Sequence, residues 1–295
     1  MPTLKEIKGR IGSVKSTLKI TSAMKLVSSA KLRKAQVAIE AMRPYEEALQ
    51  GILASLRDSS TQEDGFVLER PVLEGSSTTE ASSVLGKTAI VAMASNSSLC
   101  GGFNSNIIAK VRGERHPGDV VFSVGRKMAD AMRRDGFPSP EDLNDLVEHP
   151  AYGPAAALVE KLAREVEEGR YARVLLVYTH FVSTARQVPV VEELLGGSDP
   201  SARSVILSGS EESGILIEPG RKELLEALEP KTLKLKLYAA LLDSVAAEHA
   251  ARTVAMQTAT DNAENLLSEL TLQYNKGRQQ KITSEILDLA GGQTE

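Results

Sequence analysis

The last quarter of the chain contains the feature that most limits its fold. After Pro230 the sequence has neither glycine nor proline until Gly277, and apolar residues recur there at helical spacing. Residues 231–276 would form one helix roughly 69 Å long at 1.5 Å per residue. A single helix of that length has no core of its own, so the sequence predicts a partner helix.

The first part of the chain supplies that partner. Apolar residues alternate three and four positions apart from Leu4 to Leu18 and again from Leu32 to Met42, a pattern typical of a coiled coil. Between these segments Thr21, Lys25 and Ser28 interrupt the stripe. The neighbouring apolar residues Ile20, Met24 and Val27 move the stripe round the helix, which predicts a different neighbour for this stretch. Two prolines bear on helix continuity: Pro44 is expected to kink or break the first helix, and the second is expected to restart at Pro230.

Both helices flank one region of different character, so they must run antiparallel if they pair. Nine alanines between Ala239 and Ala263 would let a partner helix approach closely. We predict four segments: an N-terminal coiled-coil helix at 1–58, a linker at 59–87, a central α/β domain at 88–220 and a C-terminal coiled-coil helix at 221–295. A short strand is also expected near 66–68, and residues 196–214 are expected to form an exposed loop that leads to the apolar residues 215–217.

The central region alternates short β-branched runs with helical stretches. Strands are predicted at 88–94, 119–124 and 172–178, and helices at 105–112, 127–134 and 154–168. Residues 187–192 would add an edge strand. Strand–helix repetition of this kind predicts a Rossmann-like, parallel α/β domain.

Charge is segregated along the chain. Residues 1–43 carry a net charge of +8, whereas the whole chain carries −4, so the remainder carries −12. Such a basic helix suits either nucleic-acid phosphates or an acidic protein surface. Aromatic residues are scarce and the chain is acidic overall, which favours the protein partner. Salt-sensitive DNA binding would indicate a nucleic-acid or scaffold protein instead.

Reactive groups form no recognisable site. The turn from Ser95 to Asn104 follows a predicted strand, but it lacks both glycine-rich phosphate-binding motifs, so a structural turn is the favoured interpretation. Cys100 is the only cysteine and is expected to be a small buried residue. The four histidines have no metal-ligand spacing. We therefore expect no catalytic residue, cofactor or metal, and a nucleotide-using enzyme is the weakest hypothesis. The absence of a signal sequence, an apolar spanning run and a second cysteine predicts an intracellular protein in a reducing compartment.

Four segments carry a family resemblance. The stretch Ile20–Leu32 resembles the amino-terminal signature of the gamma subunit of F-type ATP synthases, and Ala247–Ala263 with Tyr274–Ile286 resembles its carboxy-terminal signature. The turn Leu99–Asn104 matches the turn after the first strand of the family's central domain. These segments lie at both ends and in the middle of the chain, in the family's order.

The resemblance implies a central rotor shaft. The coiled coil of this family enters a ring of three alpha and three beta subunits, and its α/β domain stands on the membrane c-ring beside the epsilon subunit. Proton flow turns the ring, and the shaft drives the beta sites through their states in ATP synthesis and hydrogen-ion transport. The subunit would be non-catalytic and would lie peripherally at the cytoplasmic face of the bacterial inner membrane.

The resemblance also implies site residues. Met24 and Lys25 match the part of the first helix that faces acidic loops of beta, and Glu218 aligns with a position near the c-ring contact. Further positions match residues that contact the head or support coupling: Arg252, Arg278, Gln279, Thr283 and Glu285. The sequence departs from the family pattern at residues 95–98 and before Glu218, where isoleucines replace aromatic residues. The regulatory cysteine pair of plant-type relatives is absent.

Overall fold

The structure is a computed structural model that describes residues 3–58, 86–196 and 220–291. Two long helices enclose the remaining elements in sequence: α1 spans Leu4–Asp58 and α6 spans Arg221–Gly291. The elements between them are β1 (Thr88–Met93), α2 (Phe103–Glu114), β2 (Val120–Val124), α3 (Arg126–Arg134), α4 (Asp145–Glu148), α5 (Tyr152–Glu167), β3 (Arg173–Phe181) and β4 (Gln187–Leu195). The strand predicted at 66–68 and nearly all of the loop predicted at 196–214 lie outside the described residues.

Helices α1 and α6 pair along their length as an antiparallel rod. Near one end Leu4 packs on Gly277, where an added Cβ would come within 3.2 Å of the leucine Cδ2. Further along, the Thr260 hydroxyl donates to the Thr21 hydroxyl over 3.0 Å. The residue numbers of both pairs add to the same total, so the two helices keep one register over this distance. The predicted antiparallel coiled coil is confirmed.

The seam of the rod is the line of α1 residues that faces α6, and it keeps its heptad phase through the polar interruption. Thr21 and Ser28 are buried, at 8% and 3% exposure, in phase with the buried Ile7 and Leu32. Their hydroxyls donate to carbonyl oxygens of the preceding helical turn, which satisfies their polar atoms without breaking the seam. At this point the seam positions hold polar residues in place of apolar ones, but the same positions of α1 still face α6.

Neither proline ends its helix, so a break at Pro44 and a restart at Pro230 are both wrong. Pro44 lies inside α1, and Pro230 lies inside α6, which begins nine residues earlier at Arg221. A proline removes one backbone hydrogen bond and strains the preceding turn. Beyond Pro44 the buried residues Leu49, Leu53 and Leu56 hold the helix in place by packing, which outweighs this local cost.

The central sheet has the strand order β2-β1-β3-β4. Strands β2, β1 and β3 are parallel, and β4 runs antiparallel to β3 as the predicted edge strand. All six residues of β1 are buried, as expected for a central strand covered on both faces. One face packs on α2 and α3, and the other packs on α5 and α6. The predicted α/β fold class is confirmed.

Helix α6 belongs to both parts of the molecule. Leu237, Ala240 and Leu241 complete the core on one face of the sheet. One to two turns further on, Ala246 and Ala250 pack on Leu32 and Ala35 of α1. Because one continuous helix forms part of both cores, the domain and the rod are mechanically joined.

Candidate partner-binding surface

The middle of the rod exposes an apolar face on α1. Ile20, Leu26 and Val27 are 60%, 69% and 57% exposed, and Met24 and Lys25 beside them are half-buried. Within the described chain these exposed side chains lie away from the seam. Large apolar side chains grouped in this way typically mark a protein-binding surface.

The far end of α6 carries the second group of predicted residues. Arg278, Gln279, Thr283 and Glu285 are all exposed. The Thr283 hydroxyl donates to the Gln279 carbonyl over 2.9 Å, and Lys281 pairs with Glu285 at 3.6 Å. Apolar side chains are exposed beside them: Leu272, Ile282, Ile286 and Leu287. Residues 278–285 lie about 32 to 42 Å along the helix from the level of Met24, at 1.5 Å per residue.

Arg252 differs from the other predicted contact residues because it is buried within the chain. Only 8% of the residue is exposed. Its Nη1 atom lies 2.7 Å from Oε1 of Glu248, and its Nη2 atom donates to the Ser98 carbonyl over 3.5 Å. The guanidinium therefore links α6 to the turn after β1.

Burial shapes the electrostatics around this ion pair. Burial raises the pKa of Glu248, while Arg252 and Lys31 of α1 oppose that rise. The pKa of the adjacent His249 falls to about 4, first because it is buried and then because Arg252 and Lys31 are nearby. His249 is therefore neutral at physiological pH and adds no charge to the rod.

The turn from Ser95 to Asn104 is closed by its own side chains. The Ser95 amide and hydroxyl both donate to Oδ1 of Asn104, over 3.1 and 2.9 Å, and the Arg126 amide donates to Oδ1 of Asn96 over 2.8 Å. Cys100 is 1% exposed. Side-chain oxygens thus occupy donors that a phosphate-binding loop would leave free, in line with the interpretation as a structural turn.

A second electrostatic cluster lies where the rod meets the domain. Asp243 of α6 accepts hydrogen bonds from the Phe181 amide and, at 2.5 Å, from His180 Nδ1. Tyr178 donates to Glu192 over 2.9 Å, and Lys236 lies 3.2 Å from Glu192. We call the side chains of this cluster the acidic junction: Tyr178, His180, Glu192, Lys236, Asp243 and Glu46 of α1. Burial raises the pKa of Asp243, and burial together with Glu192 raises the pKa of Glu46.

Comparison with known proteins identifies the family. A family model described as ATP synthase matches residues 3–294. The ATP synthase gamma chain of Phocaeicola vulgatus is 43% identical over 304 aligned positions, which cover 99% of each chain. The gamma chain of Bacteroides fragilis has the same identity and coverage. The chain belongs to the ATP synthase gamma chain family.

The fold agrees with this family. A chain from the rotor of the Euglena gracilis mitochondrial ATP synthase matches with a TM-score of 0.63 and 20% identity, over 95% of this chain and 98% of that one. At this identity the match shows the shared gamma-chain fold alone. Among the described helices, none combines the length and the apolar character needed to cross a membrane.

For a gamma chain, sequence reasoning found some of the candidate residues and missed others. The resemblance named Met24, Lys25 and four residues of the C-terminal helix as partner contacts, and the structure places all six beside exposed apolar side chains. Glu218 lies outside the described residues. The acidic junction was missed because its members come from four distant segments, and no local pattern brings Glu46, His180 and Asp243 together.

Proposed function

We propose that the chain is the central rotor shaft of an F-type ATP synthase and is itself non-catalytic. One observation carries this proposal: a chain of the gamma family forms a long antiparallel rod whose mid-section and far end expose apolar and hydrogen-bonding residues. The rod's own partner helix leaves those faces uncovered. A shaft held inside a ring of other subunits would present such faces to the ring.

The shaft would couple rotation to chemistry through differential contact. At each angle a different face of the rod meets a given beta subunit, and only a difference in contact energy between two conformations can shift their populations. An α1 stripe with exposed apolar residues and a net positive charge would bind acidic, partly apolar loops. Rotation would thus favour successive states at each beta site while the shaft binds no nucleotide.

Different partners are proposed for the two ends of the molecule. The rod would enter the ring of alpha and beta subunits, and the α/β domain would contact the epsilon subunit and the proton-driven c-ring. Glu218 would lie near the c-ring. This arrangement places the chain peripherally at the cytoplasmic face of a bacterial inner membrane. The division into 1–58, 59–87, 88–220 and 221–295 is part of the same proposal.

Individual residues receive different roles. Met24 and Lys25 would meet the beta loops at mid-rod, and Arg278, Gln279, Thr283 and Glu285 would hydrogen-bond to the head near the end of α6. Arg252 would support coupling from inside, because its side chain is directed to Glu248 and Ser98. It would hold the turn after β1 against the shaft.

Two measurements test the proposal. The full chain, expressed with an affinity tag in its native membrane, should bring down alpha and beta subunits. Recovery of the chain without these subunits, together with salt-sensitive DNA binding, would favour the nucleic-acid hypothesis.

The second measurement follows coupling. Met24→Lys adds a positive charge to a basic stripe and should change the contact with the acidic loops, so fewer protons are pumped per ATP hydrolysed in membrane vesicles. Val37→Lys is the matched control, because it adds the same charge at another exposed position of α1. Equal pumping ratios for Met24→Lys and the wild type would contradict the proposed role of this face.

A further inference from the structure

Helix α6 passes from one buried core to the other within a few residues. Leu241 belongs to the core on one face of the sheet, and Val245 belongs to the core that α6 shares with α1. Residues 242–244 lie between these two cores. On one side of this segment α6 is fixed to the sheet, and on the other side it is paired with α1. A torque between the rod and the domain therefore passes through this segment and through whatever braces it.

The end of the β3–β4 hairpin lies beside this segment. Strand β1 pairs with β3 as far as Val177, whereas β4 pairs with β3 as far as Phe181. Residues 178–190 thus extend past β1 as two strands, which we call the ribbon. Two backbone hydrogen bonds between Ser183 and Arg186, of 3.0 and 3.1 Å, close its turn. An isolated two-stranded hairpin is marginally stable in water, so the ribbon needs support from outside the sheet.

Asp243 of α6 supplies polar support to the ribbon. Its Oδ1 atom accepts a hydrogen bond from the Phe181 amide over 3.0 Å, and its Oδ2 atom lies 2.5 Å from Nδ1 of His180. The Phe181 amide lies beyond the last pair between β1 and β3, and the carboxylate satisfies it there. One side chain thus holds two successive residues of the ribbon. Among the described residues, no other α6 side chain hydrogen-bonds to the ribbon.

The ribbon and α6 are incompletely packed beyond this point. An open pocket of about 200 Å³ has walls from Gln187 and Pro189 of the ribbon and from Val254 and Ala255 of α6. Apolar contact across this gap therefore adds little support. Phe181 differs, because its side chain packs against the core where α6 meets α1. Its amide is the group that the carboxylate holds, so the hydrogen bond also positions this ring.

The charges around Asp243 indicate that the ionised carboxylate is the form in use. Burial raises the pKa of Asp243, the hydrogen bonds from His180 and the Phe181 amide lower it, and Glu192 raises it. The two hydrogen bonds therefore stabilise the charged form. Asparagine would fill the same space without burying a charge, so the need to fill this space does not explain the aspartate. Hydrogen bonds to a charged acceptor are stronger than neutral ones, which suits a contact under load.

We propose that Asp243 is a positioning residue for torque transfer, whose carboxylate clamps the ribbon to α6 where α6 passes between the two cores. The clamped ribbon braces this segment from the side of the domain. The shaft and the domain then turn as one body. This inference rests on the proposed rotor function, which it deepens by assigning a residue to the joint.

Hydrogen–deuterium exchange of the purified full chain tests the clamp. Asp243→Ala removes both bonds and should make the Phe181 amide exchange roughly 10- to 100-fold faster. Asp243→Asn keeps an uncharged acceptor and should give a smaller increase. Glu160→Ala is the matched control: it removes a carboxylate that links α5 to Lys234, in the part of α6 that covers the sheet, and it should exchange as the wild type does. Circular dichroism checks that each variant is folded. Unchanged exchange in Asp243→Ala would overturn the clamp.

The assembled enzyme tests the mechanical role. With the head fixed to a surface and a bead on the exposed side of α2, the angular fluctuations of the stalled enzyme report the stiffness of the joint. Asp243→Ala should increase the angular variance, Asp243→Asn should increase it less, and Glu160→Ala should leave it unchanged.

Two outcomes of this measurement would overturn the proposal. Wild-type variance in Asp243→Ala, despite faster exchange of the Phe181 amide, would show that the residue only stabilises the fold. An equal increase in Glu160→Ala would show that the position of Asp243 has no special role. Failure of the wild type to assemble with the head subunits would instead contradict the proposed rotor function, and the exchange measurement on the free chain would still decide whether Asp243 clamps the ribbon.

Discussion

The two ends of the rod are built differently although the same two helices form both. At the base, just beyond the part of α6 that covers the sheet, Ala246, Ala247 and Ala250 have no exposed surface. At the tip, none of the described side chains of residues 271–287 is buried. Base residues therefore lie inside a core of several layers, whereas tip residues lie where α6 reaches and passes the start of α1 at Leu4 and are surrounded by solvent.

Because of this difference, the base stabilises the fold and the tip is available to bind other chains. Burial of apolar area is the main source of folding free energy, so the base holds the shaft and the domain together. The tip buries none of its described side chains and leaves its apolar surface available to other chains. A rotor needs both properties, because torque must pass through a rigid joint while contacts at the tip form and break.

The largest effect should come from a matched pair of leucine truncations. Leu241 is 1% exposed in the core shared by α6 and the sheet, and Leu272 is 72% exposed at the tip. Leu241→Ala should lower the free energy of unfolding by about 3 kcal/mol, because it leaves a cavity. Leu272→Ala should change it by less than about 0.5 kcal/mol. Urea denaturation of the two variants measures both values, and similar losses would show that the tip shares the core of the base.

An equally sharp contrast is expected between two arginines. Arg252→Ala leaves Glu248, 6% exposed, without its closest counter-charge, and should cost about 3 kcal/mol of unfolding free energy. Arg278→Ala removes an exposed guanidinium and should cost less than about 0.5 kcal/mol. In the assembled enzyme Arg278→Ala should weaken binding to the head subunits more than Arg252→Ala does. Chemical denaturation and subunit pull-down of the same two variants test both halves, and a stable Arg252→Ala chain would contradict the internal role.

The contrast also explains what the sequence could predict. Repeating patterns that need only local residues indicated the coiled coil and the buried strands, because heptads and β-branched runs report burial directly. The antiparallel direction followed from the positions of the two helices on either side of the central domain. Continuity through Pro44 could not be predicted, since it depends on later packing of Leu49 and Leu53. The buried position of Arg252 was hidden as well, because only the folded chain brings Glu248 and Ser98 to it.

The seam shows a subtler limit. Thr21 and Ser28 were interpreted as an interruption because they are polar, yet both are buried in phase. Their hydroxyls bond to their own helix, which cancels most of the cost of burying them. Heptad position therefore predicted the contact better than residue type did.

A smaller effect is expected from the hydroxyl pair in the seam. The Thr260 hydroxyl lies 3.0 Å from that of Thr21 and 2.8 Å from the Met256 carbonyl oxygen, so its single proton is shared between these two acceptors. Thr260→Val should lower the free energy of unfolding by about 1 kcal/mol, because it leaves the buried Thr21 hydroxyl without this partner. The double variant Thr21→Val with Thr260→Val should recover most of that loss, since both polar groups are then replaced. A thermal double-mutant cycle measures the coupling, and additive losses would show that the two hydroxyls act independently.

The smallest effect concerns pH at the acidic junction. Burial and the nearby Glu192 and Asp243 raise the pKa of Glu46 above its ordinary value of 4.5. The folded state therefore binds this proton more tightly than the unfolded state, so the ionised carboxylate destabilises the fold above the raised pKa. The penalty decreases as the pH falls through that pKa and is absent below the ordinary value. Glu46→Gln should thus raise the free energy of unfolding by about 0.5 kcal/mol at pH 8, a value that is reduced because the side chain is partly exposed. Near pH 4 the substitution should leave the free energy of unfolding unchanged. Glu47→Gln, one residue away and exposed, is the control; an equal gain from both variants, or a gain for Glu46→Gln that persists near pH 4, would show that the junction is not the cause.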